Sequence, residues 1–302
     1  MNGRKYTGLE KEKEKWAYLF ISIPCMFYIC VRFIPTLYAF FLSFTDWDII
    51  SESKNWLGIS NYTQLFADKI FYKTLINTGK YVLFGLPCSL ILGFILAYNI
   101  DKAGRTENLF KMVYFMPYIT SMVAVAWVWR WFYQPAPNGV FNNVLVALGI
   151  NPQPFLKSTK QAIFCIITPT VWADLGFQMI IFLAGIRAIP EQYYEVAEID
   201  GASAATKLFK ITLPLLKSTT IFLLITGTIR YLRIFTQVLN ITSEGDGGPL
   251  NSTKPLVLYI YQKAFRNYEM GYAASMSVVL FFIIFMVTLL QMRLTKNNDE
   301  KA

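Results

Sequence analysis

Histidine is absent from this 302-residue chain, which removes imidazole acid–base chemistry, Ser-His nucleophiles and His-ligated metal together. Charge is scarce as well: Asp, Glu, Lys and Arg make up 16% of the residues, against about 25% in an ordinary soluble domain. There are four cysteines, Cys25, Cys30, Cys88 and Cys165. Each sits inside an apolar run and none forms a C-x-x-C, so they read as buried hydrophobes rather than as a disulfide framework or a metal site. No G-x-x-x-x-G-K-[ST] sequence occurs, so the chain lacks that nucleotide-binding loop. The glycine-rich residues 244–249 have no lysine and read as a turn. No internal repeat and no low-complexity linker interrupts the chain. These absences leave no catalytic residue, no metal site and no bound cofactor to expect.

What is present is apolar: 55% hydrophobic residues and a mean hydropathy of +0.40. Six runs are long enough for the roughly 20 residues that a membrane-crossing helix needs. They cover residues 16–44, 81–99, 110–132, 162–186, 215–239 and 272–292, and each should be helical because unpaired backbone cannot face lipid. The first is too long for a signal-peptide core and no small-residue cleavage site follows it, so it is expected to stay as an anchor. The net charge of +9 comes from basic residues scattered mostly at span ends, a pattern for anionic headgroups and not for nucleic acid. Arg4, Lys5, Lys11, Lys13 and Lys15 place the N-terminus in the cytoplasm. Alternation then puts Lys102, Arg105, Lys111, Lys207, Lys210, Lys217, Arg293 and Lys296 on that side, and residues 46–72, 133–160 and 240–271 outside. The expected organisation is a cytoplasmic tail (residues 1–15), one membrane domain (16–294) and a charged cytoplasmic tail (295–302).

Between the fourth and fifth runs lies a polar, amphipathic segment, residues 189–214. Glu195, Val196, Ala197 and Ile199 suit a short helix opening after Pro190, which is tolerated at a helix start. Gly201 supplies freedom for a sharp turn or a close backbone approach. Ser203 is placed to cap a second helix, along which Leu208, Phe209 and Ile211 recur at helical spacing, and Pro214 marks the start of the fifth span. Two short helices at an angle make a knob that a partner's groove could hold.

The spacing of Glu195 and Ala197, Gly201, and then Ile211 and Pro214 resembles the EAA loop, where membrane subunits of binding-protein-dependent ABC importers dock their ATPase. Residues 189–214 are therefore expected to be the coupling loop, with Glu195, Ala197, Gly201, Ile211 and Pro214 as its key positions. The likeness extends to the maltose-type sugar-importer permeases, in the subunit type of the larger maltose permease. It is carried by Pro35 with residues 42–47, by residues 58–62 and 115–117, and by Trp127, Val128 and Trp129. Residues 185–190, 247–249, 251–253 and 271–273, with Ala264 and Phe265, complete it. Val196 replaces the usual alanine, the Gly-Gly-Pro turn follows a longer stretch than is usual, and the extra N-terminal spans and large outer domain of the maltose subunit have no counterpart. The resemblance implies an all-α membrane protein with the six transmembrane helices of the ABC type I importer permease fold, in a bacterial cell membrane. It also implies a second permease, two ATP-binding subunits and an extracytoplasmic solute-binding protein as partners, and a sugar as cargo; ATP belongs to a partner subunit.

Charges near the middle of a span are functional candidates by default. Asp174 in the fourth run and Arg230 and Arg233 in the fifth stand out; Arg32 in the first can snorkel. The family's solute path lies between the spans flanking the loop. That puts Thr170, Ala173, Asp174 and Phe177 on one wall and Gly227, Arg230, Tyr231 and Ile234 on the other. Aromatic faces and polar groups suit a carbohydrate. Arg230 matches a carboxylate, which points to an acidic sugar of sialic acid or uronate type as an alternative to a neutral di- or oligosaccharide. Equally, Asp174 could neutralise one arginine as a structural ion pair. Two rivals stand against the transport-subunit reading: a secondary transporter using Asp174 as its coupling-ion site, and an intramembrane enzyme, which would need an aspartyl pair.

Overall fold

A computed structural model of the chain describes residues 8–50 and 54–299, which form helices and loops with one isolated bridge between Thr45 and Trp56. Arg4 and Lys5, and residues 300–302 of the expected tail, lie outside the described residues. The helices are α1 (residues 8–42), α2 (Ser60–Ala67), α3 (Lys69–Ile100), α4 (Gly104–Ile119), α5 (Met122–Phe132) and α6 (Val140–Ala147), followed by α7 (Ala162–Arg187) and α8 (Gln192–Ile199). Then come α9 (Ala204–Leu215), α10 (Lys217–Leu232), α11 (Thr236–Ile241), α12 (Leu256–Tyr261) and α13 (Met270–Asp299). Within α1, α3, α7 and α13 lie four stretches long and apolar enough to cross a bilayer alone. Counting each of two bent pairs as one span gives six.

Two of the six runs expected to be helical are broken helices. The third run breaks between α4 and α5 at 94°, because Thr120 takes an extended backbone (φ −66°, ψ 141°) and ends the helix. The fifth breaks twice. Pro214 belongs to α9, which meets α10 at 61°, and α10 stops at Leu232, with Phe235 (φ −148°, ψ −63°) separating it from α11. The second span starts at Lys69, a 12-residue stretch ahead of its apolar core. Its buried Thr74, Asn77 and Thr78 dilute the hydropathy there. Three helical prolines, Pro35, Pro87 and Pro214, each follow a widened i→i+5 turn. Such a turn accommodates the missing N–H and the ring that would strike the preceding turn.

The chain divides into two compact units, residues 1–67 with 262–279 and residues 68–261 with 280–302. In the first, residues 42–47, 58–62 and 271–273 of the sequence likeness meet in one knot. Asn61 Nδ2 donates to the carbonyls of Ser43 (2.9 Å) and Thr45 (2.8 Å), Ser43 and Tyr62 share a hydrogen bond of 2.7 Å, and Gly271 N–H donates to Trp47 O at 2.9 Å. A Cβ on Gly271 would lie 2.0 Å from Thr45 O, so the close approach requires glycine.

The second unit is built on α7. One hydrophobic cluster gathers Tyr81, Ile166, Val171, Tyr231, Val238 and Leu258; the other gathers Ala97, Met179, Phe182, Leu216 and Leu223. Helices α4 and α7 touch backbone to backbone at Gly176, where a Cβ would stand 2.4 Å from Tyr114 O and 2.5 Å from Phe115 Cα. Small residues permit such contacts where lipid offers no hydrophobic drive between helices. The four cysteines are free, but only Cys165 is buried in the chain. Cys25, Cys30 and Cys88 are exposed, correcting the expectation for them: outward faces of membrane helices are apolar, so apolar surroundings in sequence do not imply a core position.

Candidate functional site

The segment 189–214 folds as two helices around a glycine. Helix α8 ends in a C-terminal cap in which Ala202 N–H donates to Ala197 O at 2.8 Å and Gly201 N–H to Glu198 O at 3.0 Å, the paired bonds that close a helix on a left-handed residue. Gly201 takes φ +71° and has open space where a Cβ would stand. It is thus needed for the turn and not, within this chain, for a close approach. Ser203 then caps α9, accepting from Thr206 N–H at 3.2 Å. Two side-chain contacts lock the pair of helices: Tyr194 to Thr212 at 2.9 Å and Lys207 Nζ to Glu198 Oε1 at 2.6 Å. The ammonium of Lys207 holds the Glu198 carboxyl below its ordinary range.

The knob presents apolar side chains outward. Val196 and Phe209 are exposed and Ile199 is 86% exposed. Of the positions named from sequence, Glu195, Gly201 and Pro214 are exposed and Ala197 and Ile211 half-buried. In sequence Val196, Ile199 and Phe209 read as helix-forming positions, and spacing alone does not say that each points away from the chain. At the root of the loop, Arg187 reaches Asp101 (3.1 Å) and Glu107 (2.8 Å), and Glu107 also pairs with Lys111.

The second constellation lies between α7 and α10. Arg230 Nη2 stands 2.7 Å from Asp174 Oδ1. Asp174 is 1% exposed, while the Arg230 side chain remains 40% exposed. The approach is not aligned as a hydrogen bond, and the buried Tyr231 hydroxyl faces the same carboxylate and Ser89. The guanidinium also lies 5.2 Å from the Tyr118 ring centroid, and Tyr118 stacks on Phe177 at 5.2 Å and 18°. Thr170, Ala173, Gly227, Tyr231 and Ile234 are buried within the chain, so of the eight expected wall residues only Phe177 and Arg230 reach its surface. Tyr118 was not anticipated, since it sits on a different span. Arg233 caps the end of α10, and Arg32 lies on the exposed α1.

A capped two-helix knob thus joins α7 to α10, and a charge pair links the same two helices. Residues 89–298 match the family described as the binding-protein-dependent transport system inner membrane component. The chain belongs to that family. Among relatives of this permease is the Bacillus subtilis protein named "Probable ABC transporter permease protein YesP", 35% identical over 276 residues that cover 90% of this chain and 88% of that one. Another is the arabinooligosaccharides transport system permease protein AraP of the same organism, 30% identical over 291 residues, covering 96% and 91%. A chain from the crystal structure of a bacterial ABC transporter involved in the import of the acidic polysaccharide alginate superposes with a TM-score of 0.81 at 21% identity, covering 95% of this permease and 96% of that chain. The fold is therefore that of an ABC importer permease. The family is one of transport subunits, which removes the intramembrane enzyme and leaves no support for the secondary transporter.

Proposed function

We propose that this permease forms a translocation path for a saccharide together with a second permease, and that residues 189–214 seat a cytoplasmic ATPase on each transport cycle. In this reading both termini are cytoplasmic, two ATP-binding subunits hold the ATP, and a solute-binding protein delivers cargo from outside. The observation that carries the coupling role is the knob itself: two locked helices with Val196, Ile199 and Phe209 facing outward, a shape for a groove in a partner. Moving a two-state gate from 1:99 to 99:1 takes about 5.5 kcal/mol of differential binding, which a poorly seated knob could not transmit. Gly201→Trp is expected to abolish uptake while the protein remains in the membrane. Normal transport and normal ATPase association in that variant would refute the coupling role.

For the cargo, the exposed edge of Arg230 beside the Tyr118–Phe177 stack offers an aromatic face and a cation, which suits a sugar ring and leaves room for an acidic one. Transport of arabino-oligosaccharides by one relative and of alginate by the structural neighbour supports an oligosaccharide. The ion pair with Asp174 favours the neutral cargo, because the arginine already has a carboxylate partner. The mutant cycle of Asp174 and Arg230 separates the two.

A further inference from the structure

Helix α7 stops at Arg187, and residues 188–191 link it to the knob. Apolar packing between α3 and α7 runs as far as Ile100 and Ile186. The next residue on each helix, Asp101 and Arg187, is charged. Arg187 Nε stands 3.1 Å from Asp101 Oδ1 and its Nη2 2.8 Å from Glu107 Oε2, so two nitrogens of one guanidinium hold both ends of the connector between α3 and α4. A planar fork of donors suits two carboxylates at once, which the point charge of a lysine does not. Glu107 is further paired with Lys111, one turn along α4.

An isolated surface ion pair contributes little, but three features set this cluster apart. Arg187 at the end of α7 and Glu107 in the first turn of α4 sit where helix dipoles favour them, whereas Asp101 ends α3, where the dipole disfavours a carboxylate. Its own helix gives no reason for Asp101; the guanidinium does. Within the connector, Lys102, Gly104, Arg105 and Thr106 are all exposed, so apolar burial does not hold these residues in place. The knob does not rest on them either. A cavity of about 720 Å³ opens there, lined by Tyr98 and Lys102 on the α3 side and by Tyr194 and Lys207 on the knob side.

We infer that Arg187 is a positioning residue in coupling: by gripping Asp101 and Glu107 it makes the connector between the second and third spans move with the root of the knob. This rests on the proposed coupling role of residues 189–214. It adds a route by which a displacement of the knob reaches α3 and α4, to which the knob is not joined in sequence.

The test uses the complete transporter in nanodiscs and, as probe, the purified solute-binding protein that stimulates ATP hydrolysis by the wild-type complex. Spin labels replace the exposed Arg105 in the connector, Glu191 at the root of the knob and Lys160 beside the far end of α7. Distances are compared between the nucleotide-free and the vanadate-trapped complex. With Arg187 in place, both the 191–160 and the 105–160 distances are expected to change. Arg187→Gln is expected to keep the first change, lose the second and cut the stimulation of ATP hydrolysis by about tenfold. Asp101→Asn combined with Glu107→Gln, which leaves the knob's own chain intact, is expected to do the same. So is Arg187→Lys, which keeps the charge and loses the fork. A 105–160 change that is absent with Arg187 in place, or that persists in Arg187→Gln or Arg187→Lys, overturns the positioning role and leaves the coupling role standing. Normal stimulation in a variant whose connector no longer moves overturns it too. Failure of the complex to assemble in both the arginine and the carboxylate variants also overturns it, assigning the cluster to folding alone. If the 191–160 distance stays fixed even with Arg187 in place, the knob does not move with nucleotide, and the coupling role falls together with the positioning one.

Discussion

Removing Arg230 and removing Asp174 should have unequal effects, and the structure sets the order. Arg230→Gln leaves a carboxylate that is 1% exposed without the guanidinium that pairs with it. Uncompensated buried charge of this kind costs about 3–5 kcal/mol. Asp174→Asn leaves a guanidinium that is 40% exposed and still near Tyr118, which water can solvate in place of the carboxylate, so the loss is smaller, about 1 kcal/mol as for an exposed ion pair. The double neutral variant removes the stranded charge and should be more stable than Arg230→Gln alone, with a coupling energy of about 2 kcal/mol. The assay is melting of the purified complex for the four members of the cycle, alongside uptake of neutral and acidic oligosaccharides. Recovery of both stability and transport in the double variant assigns the pair a structural role and the cargo a neutral sugar. Loss of acidic-sugar uptake in both Arg230→Gln and the double variant, with ATPase stimulation by the loaded binding protein intact, assigns Arg230 to the cargo. Strictly additive losses, with the double variant worst, would refute the ion-pair reasoning altogether.

Gly176→Ala should destabilise the chain by about 1–3 kcal/mol through overpacking, because the added carbon meets the backbone of Tyr114 and Phe115, which cannot rotate away as a side chain would. A melting temperature equal to wild type would show that α4 and α7 separate freely. The Lys207–Glu198 lock carries a pH signature. The folded Glu198 carboxyl lies below its ordinary value of 4.5, so its contribution is fully present above that value and is lost as the pH falls through the lowered one. Spin-label distances between α8 and α9 should therefore be constant from neutral pH down to about 5 and broaden in more acid solution. Glu198→Gln should give broadened distances at every pH, and raised salt should weaken the lock because the pair is exposed. Distances in Glu198→Gln that match wild type at neutral pH would remove the pair from the lock.

By itself, the sequence determined the solvent of this protein and the architecture of the segment 189–214. Lipid was legible because apolar length is a local property of the chain. The loop was legible for a similar reason: Pro190, Gly201 and Ser203 act on backbone within a few residues of themselves, so a helix start, a left-handed turn and a cap could be read from composition and spacing. The pairing of Asp174 with Arg230 could be named as one of two options, because membrane charges are few and seek partners. Tertiary structure decided everything that depends on distant neighbours. The second span's polar beginning is helical because Asn77 and Tyr81 find carbonyls more than 170 residues away, a compensation that hydropathy averaging cannot register. The break at Thr120 and the burial of Tyr231 and Ile234, which sequence placed on the wall of a path, follow from how α4, α7 and α10 cross. So does the arrival of Tyr118 beside Arg230. A helical wheel gives the direction of a side chain about its own axis, and only packing says whether that direction meets lipid, a partner helix or a passage.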